Sequence, residues 1–262
     1  MSDLHAPSGF IMVAPNGGRK TKDDHLGVPI TVEETVDCAR ACYEAGAQAL
    51  HAHVRDEAAR HVLDAGLYRE LLGEMAVKVP QMQVQITTEA LGLYSAEDQR
   101  SLVRAVEPAA VSMALREQDP TADMAAARAF YHWAAEADVE VQHILYAPED
   151  LSQLLHLQDQ GVLPKGEMRV LFVLGRYADS LPSSPESLTP FLDRVDRPLR
   201  WMVCAFGQPE TACLLAAQAR GGEMRIGFEN NELHADGRRA ASNAERVAAL
   251  RAALAQTVAA GA

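Results

Sequence analysis

Two histidines one residue apart, in Leu50-His51-Ala52-His53-Val54-Arg55-Asp56, carry the densest chemical information in this 262-residue chain. In an extended strand, residues i and i+2 share a face, about 6–7 Å apart along the backbone, so two imidazoles can converge on one metal ion. A His-x-His triplet is common by chance and does not define a site alone. Near the other end, Met224-Arg225-Ile226-Gly227-Phe228-Glu229-Asn230-Asn231 reads as a short strand closing on a carboxylate. Glu229 would then complete a His/His/Glu set with an open fourth position, the donor set of a catalytic zinc ion.

The elements that must position these groups follow from an alternating pattern. Apolar runs at Phe10–Asn16, Ala47–Val54, Met82–Thr88, Ala109–Leu115, Val139–Tyr146, Met168–Gly175, Arg200–Gly207 and Glu223–Glu229 read as strands. Between and after them lie helical patterns at Thr31–Ala45, Ala65–Val77, Ser95–Val106, Thr121–Ala137, Pro148–Gln160, Pro185–Val195, Pro209–Arg220 and Ser242–Gln256. Thr31 with Glu34 has the form of a capping box, and Ser95 is followed by acids in the first turn. Eight strand–helix units in strict alternation predict an α/β fold, a (β/α)8 barrel, as one domain over residues 1–262. A doubly wound sheet is the competing architecture, but no G-x-G-x-x-G turn follows any strand.

In such a barrel the strands' C-terminal ends form the active site. The parse puts His51 and His53 late in strand two, Glu229 at the end of strand eight and Asn16 at the end of strand one. Thr87 and Thr88 end strand three, and Ser112 lies late in strand four. Small hydroxyls at Thr87 and Ser112 also serve simply to satisfy neighbouring backbone. His143 reads as a core residue, whereas His5, His25, His61, His132, His156 and His234 read as surface residues. A net charge of −12 without long single-sign blocks argues against nucleic acid as a partner. Cys38, Cys42, Cys204 and Cys213 have no disulfide-scaffold or zinc-knuckle spacing, and neither a signal peptide nor an 18-residue apolar run is present. A cytoplasmic protein with no membrane partner is the expectation.

These residues carry a resemblance to the beta-keto acid cleavage enzymes over roughly residues 9–256. It rests on Pro15-Asn16-Gly17-Gly18, Pro29-Ile30-Thr31-Val32-Glu33-Glu34, Glu44-Ala45-Gly46-Ala47 and His51-x-His53-x-Arg55. Further matches are Gln85-Ile86-Thr87-Thr88, Leu171-Phe172-Val173-Leu174-Gly175, Gly221-Gly222, Arg225-x-Gly227-Phe228-Glu229 and Ser242-Asn243-Ala244. The resemblance implies His51, His53 and Glu229 as zinc ligands, Arg225 as the catalytic arginine, and Thr87 and Ser112 as active-site hydroxyls. Asn16, Arg19 and Thr88 would face substrate. The implied reaction condenses a β-keto acid with acetyl-CoA and splits the adduct into acetoacetate and a new acyl-CoA, in a homotetramer or homodimer.

The chain departs from the family's pattern at the catalytic aspartate, replaced here by Asn230, an amide that accepts no proton at neutral pH. Glu89, directly after Thr87-Thr88, is the candidate substitute base. Arg19 and Gln142 stand where acids would face an amino group on the substrate, so a second carboxylate or a neutral polar tail becomes the expectation. Two other readings stay open: a zinc-dependent carbon–carbon lyase or hydrolase that uses no CoA, and a catalytically silent metal-binding relative.

Overall fold

The apolar runs form β1 (Ile11–Val13), β2 (Ala49–Ala52), β3 (Gln83–Thr87), β4 (Ala110–Ala114), β5 (Glu140–Leu145), β6 (Met168–Leu174), β7 (Leu199–Ala205) and β8 (Glu223–Ile226). All pairings are parallel and follow chain order, and β8 closes on β1 with Ile11 opposite Met224 and Val13 opposite Ile226. The computed structural model describes residues 9–176 and 182–261. Closure leaves no unpaired edge in this sheet among the described residues, and the expected (β/α)8 barrel is the fold.

Around the barrel run α1 (Val32–Glu44), α2 (Ala65–Lys78), α3 (Ala96–Val106), α4 (Leu115–Gln118), α5 (Met124–Glu136), α6 (Pro148–Asp159), α7 (Thr189–Leu192), α8 (Glu210–Gln218) and α9 (Asn243–Gly261). The Thr31–Glu34 capping box opens α1, and Ser95 with Asp98 forms the same reciprocal pair at α3. Each satisfies two backbone N–H groups that a helix start would leave unpaired. Helices and strands sandwich the main apolar core. A second cluster, including Phe10, Met12, Ile144, Leu171, Val173, Met202 and Cys204, fills the barrel interior.

Two boundaries differ from expectation in ways that matter. Strand β8 stops at Ile226, so Glu229 lies in the turn beyond it. Gly227 causes this: its φ is +144° and a Cβ there would sit 2.3 Å from the Ala14 carbonyl oxygen. The single helix expected over Pro185–Val195 is a 3-10 turn at Pro185–Leu188 followed by the short α7.

Candidate metal centre and active site

His51 Nε2, His53 Nε2 and Glu229 Oε2 form a triangle with sides of 3.2, 3.5 and 3.6 Å. A tetrahedral ion with bonds of about 2.0–2.2 Å holds its ligands about 3.3–3.6 Å apart, so the triangle has the size of a zinc face. The hydrogen bonds behind the rings set the tautomers. Gln85 Oε1 lies 2.9 Å from His51 Nδ1 and can only accept, so Nδ1 donates and Nε2 carries a lone pair. His61 Nε2 donates to the Glu89 carbonyl at 2.9 Å, which leaves His61 Nδ1 to accept from His53 Nδ1 at 3.4 Å. His53 Nε2 therefore also presents a lone pair. Two nitrogen lone pairs and a carboxylate oxygen converge on one point, an arrangement that repels itself unless a cation sits among them.

The electrostatics agree. Burial first, and Arg225 second, push the His51 imidazole down to about 3. Burial likewise holds His53 well below the ordinary histidine range, so both rings are neutral, as metal ligands must be. Burial alone would raise Glu229, but the Arg225 guanidinium outweighs it and holds the carboxyl well below its ordinary range. Arg225 Nη2 donates to Glu229 Oε1, and the guanidinium's Nε and Nη1 are buried without a protein partner. Both polar side-chain atoms of Asn230 and one oxygen each of Glu89 and Glu229 are in the same state. Together these four residues hold half of the buried unpartnered side-chain polar atoms found among the described residues. Such atoms cost stability unless a ligand meets them, so their gathering at one mouth marks a binding site.

Local structure explains the approach of the elements. Asn16 uses its whole amide on backbone, donating to the carbonyls of Pro29 and His53 and accepting from His53 N–H. It fixes the backbone at His53, so the side chain expected to face substrate serves the loops that carry the site. Arg55 donates to the carbonyls of Gly17, Gly18 and Lys20 and ties down the loop after β1. Gly17, at φ +61°, passes so close to Glu229 that a Cβ would lie 2.6 Å from its Cγ.

Thr87, Glu89, Arg225, Glu229, Asn230, His51 and His53 line one chamber at the barrel mouth. Ser112 lies behind it and donates to Thr87 Oγ1 at 3.4 Å. Thr88, expected to face substrate, turns away from the chamber, where its hydroxyl donates to Gln99 Oε1 at 2.9 Å. Arg19 is exposed and lines a wider outer cleft. Gln142 does not reach the chamber, because it bonds Gln85 and Met202 deeper in the barrel. His143 is buried against Tyr131, as a core residue should be.

His61 and His234, expected on the surface, are buried. His61 is brought back onto His53 by a tight turn in which Asp56 Oδ1 accepts from the N–H groups of Ala58 and Arg60, and Arg55 bridges His61. The Asp at that turn was the readable signal. Sequence reasoning also missed Gln85 as the support of His51, and Arg176, whose guanidinium meets Glu89 Oε1 at 2.6 Å. A charged residue just beyond a barrel strand was the clue for Arg176.

The match to known proteins fits this geometry. The chain is 26% identical over 250 residues to a 3-keto-5-aminohexanoate cleavage enzyme of Fusobacterium nucleatum, covering 91% of this chain and 88% of that one. It is 27% identical over 233 residues to a 3-oxoadipate:acetyl-CoA acetyltransferase of Cupriavidus necator, covering 85% and 80%. ObcA, solved as a binary complex with oxaloacetate, shares the fold with a TM-score of 0.71 at 14% identity, over 88% of this chain and 64% of the longer ObcA chain. Residues 9–260 match the profile of the beta-keto acid cleavage enzymes, and the chain belongs to that family.

Proposed function

We propose that the protein cleaves a β-keto acid with acetyl-CoA, using a zinc ion held by His51, His53 and Glu229. The observation that carries this reading is the triangle of three lone pairs, set beside the unpartnered atoms of Arg225, Asn230 and Glu89. The family and the acetyl-CoA-dependent relative supply the reaction class. Zinc at this donor set supplies Lewis-acid stabilisation of an enolate. The chain's own groups do the rest. Glu89 takes the α-proton: its Oε2 has no partner, and burial raises its carboxyl despite Arg176. The carbanion attacks the acetyl thioester and expels the CoA thiolate. The thiolate returns to the substrate's ketone carbon, the bond between that carbon and the α-carbon breaks, and the proton held by Glu89 completes acetoacetate. The free Arg225 nitrogens and the Asn230 amide donate to the oxyanions formed at each carbonyl attack.

The test is to incubate the zinc-loaded protein with a panel of β-keto acids, with and without acetyl-CoA, and follow acetoacetate and new acyl-CoA. Acetoacetate formed only with acetyl-CoA is expected. Cleavage without it would favour a lyase on the same site. Glu89→Gln should lower kcat by about 10²–10⁴-fold with zinc retained, and an undiminished rate would remove the glutamate from the mechanism.

A further inference from the structure

The chamber next to the histidines has one wall that the reaction above does not use. Strands β4 to β7 and the residues just beyond β7 present Ala114, Ile144, Leu171, Val173, Cys204 and Phe206 to it. All but Phe206 are buried, and they belong to the apolar cluster inside the barrel. The charged groups at the rim are engaged. Arg176 pairs with Glu89, and Glu117 Oε2 accepts from Ala90 N–H at 3.0 Å, while the unpartnered nitrogens of Arg225 are those assigned above to the reacting carbonyls. The two residues whose identity argued for an anionic tail lie elsewhere, Arg19 in the outer cleft and Gln142 beneath the chamber.

Resting on the proposed reaction, we infer that this wall is the tail subsite, and that it selects β-keto acids with a short uncharged hydrocarbon tail. The metal ligands and Arg225 hold the keto acid's polar end on one side of the chamber. The tail then points across to Ile144, Leu171 and Val173. A carboxylate or ammonium against these three side chains would lose its water and gain no partner from them, whereas a methylene gains about 0.8 kcal/mol, close to fourfold per carbon. The chamber opens into the wider outer cleft, of about 480 Å³, and the two share Arg176, Phe206, Glu229 and Asn230 as lining, so a keto acid held at the histidines would meet a CoA arm laid along that cleft.

The experiment compares kcat/KM for 3-oxopentanoate, 3-oxohexanoate, 3-oxoadipate and 5-amino-3-oxohexanoate on the zinc-loaded protein with acetyl-CoA. 3-Oxohexanoate should exceed 3-oxopentanoate by about fourfold and both charged acids by tenfold or more. Leu171→Arg should shift the preference toward 3-oxoadipate by at least tenfold. The gentler Val173→Thr should raise KM for 3-oxohexanoate several-fold and leave that for 3-oxoadipate unchanged. Equal or better turnover of either charged acid by the unaltered protein overturns the tail subsite while supporting the reaction. Should no acid turn over, the reaction fails, and calorimetric titration of 3-oxohexanoate against 3-oxoadipate without acetyl-CoA decides the subsite by itself. There, equal or tighter binding of the dicarboxylate, or binding of neither, overturns it.

Discussion

Strands β8, β1, β2 and β3 bring Arg225, Asn16, His51 and Thr87 to the barrel mouth, whereas β4 to β7 bring Ala114, Ile144, Leu171, Val173 and Cys204. The first half is polar, held by hydrogen bonds reaching back through Gln85 and His61, and it contains buried groups with no protein partner. Within the strands the second half is packed hydrocarbon of the kind that stabilises any core, with Glu117, Tyr146 and Arg176 just beyond the strand ends. The barrel therefore accepts an energetic cost on one side of its mouth and offsets it on the other. Binding and chemistry belong where the fold has left its polar groups unsatisfied, and shape selection belongs where it has not.

The sharpest way to break the comparison is to remove the histidines. The His51→Ala/His53→Ala double variant should fall from one zinc per chain to none by elemental analysis and lose turnover. Its far-UV circular dichroism should stay close to the parent's, because the strand and helix packing does not run through the metal. Full zinc occupancy in that variant would overturn the ligand assignment.

A smaller effect is expected one step back. His61→Phe removes the acceptor for His53 Nδ1, and Gln85→Leu removes the acceptor for His51 Nδ1. Each should weaken zinc by about 10–100-fold in a chelator competition. Unchanged affinity in both would show that the polar half is not organised around a metal.

The smallest effect carries the opposite sign. Asn230 is buried with both its amide atoms unpartnered, so Asn230→Leu makes the polar half resemble the apolar one. Thermal unfolding should show a gain of up to about 1 kcal/mol, roughly 2–4 °C, together with lost turnover. A substantial loss of stability would mean that Asn230 serves the fold and not the site.

Much of this was legible in the chain because it depends on neighbours in sequence. Strand and helix alternation, the caps at Thr31 and Ser95, and the common face of His51 and His53 all follow from short-range periodicity, and that is enough to specify a (β/α)8 barrel. The His/His/Glu set was also readable, since each residue lies close to the end of a recognisable strand. What tertiary structure alone decided is where side chains from different strands end up once the barrel closes. Thr88 follows a residue that faces the chamber and Gln142 shares a strand face with Ile144, yet one turns to Gln99 on α3 and the other to Gln85 below the chamber. Asn16 spends its amide on the backbone of a strand 37 residues away. His61, a surface residue by sequence, becomes the support of His53, and the apolar wall assembles from strands whose residues are far apart in the chain. Local pattern assigns each residue to an element and a face, but strand register and closure determine which faces meet, and those are properties of the whole barrel.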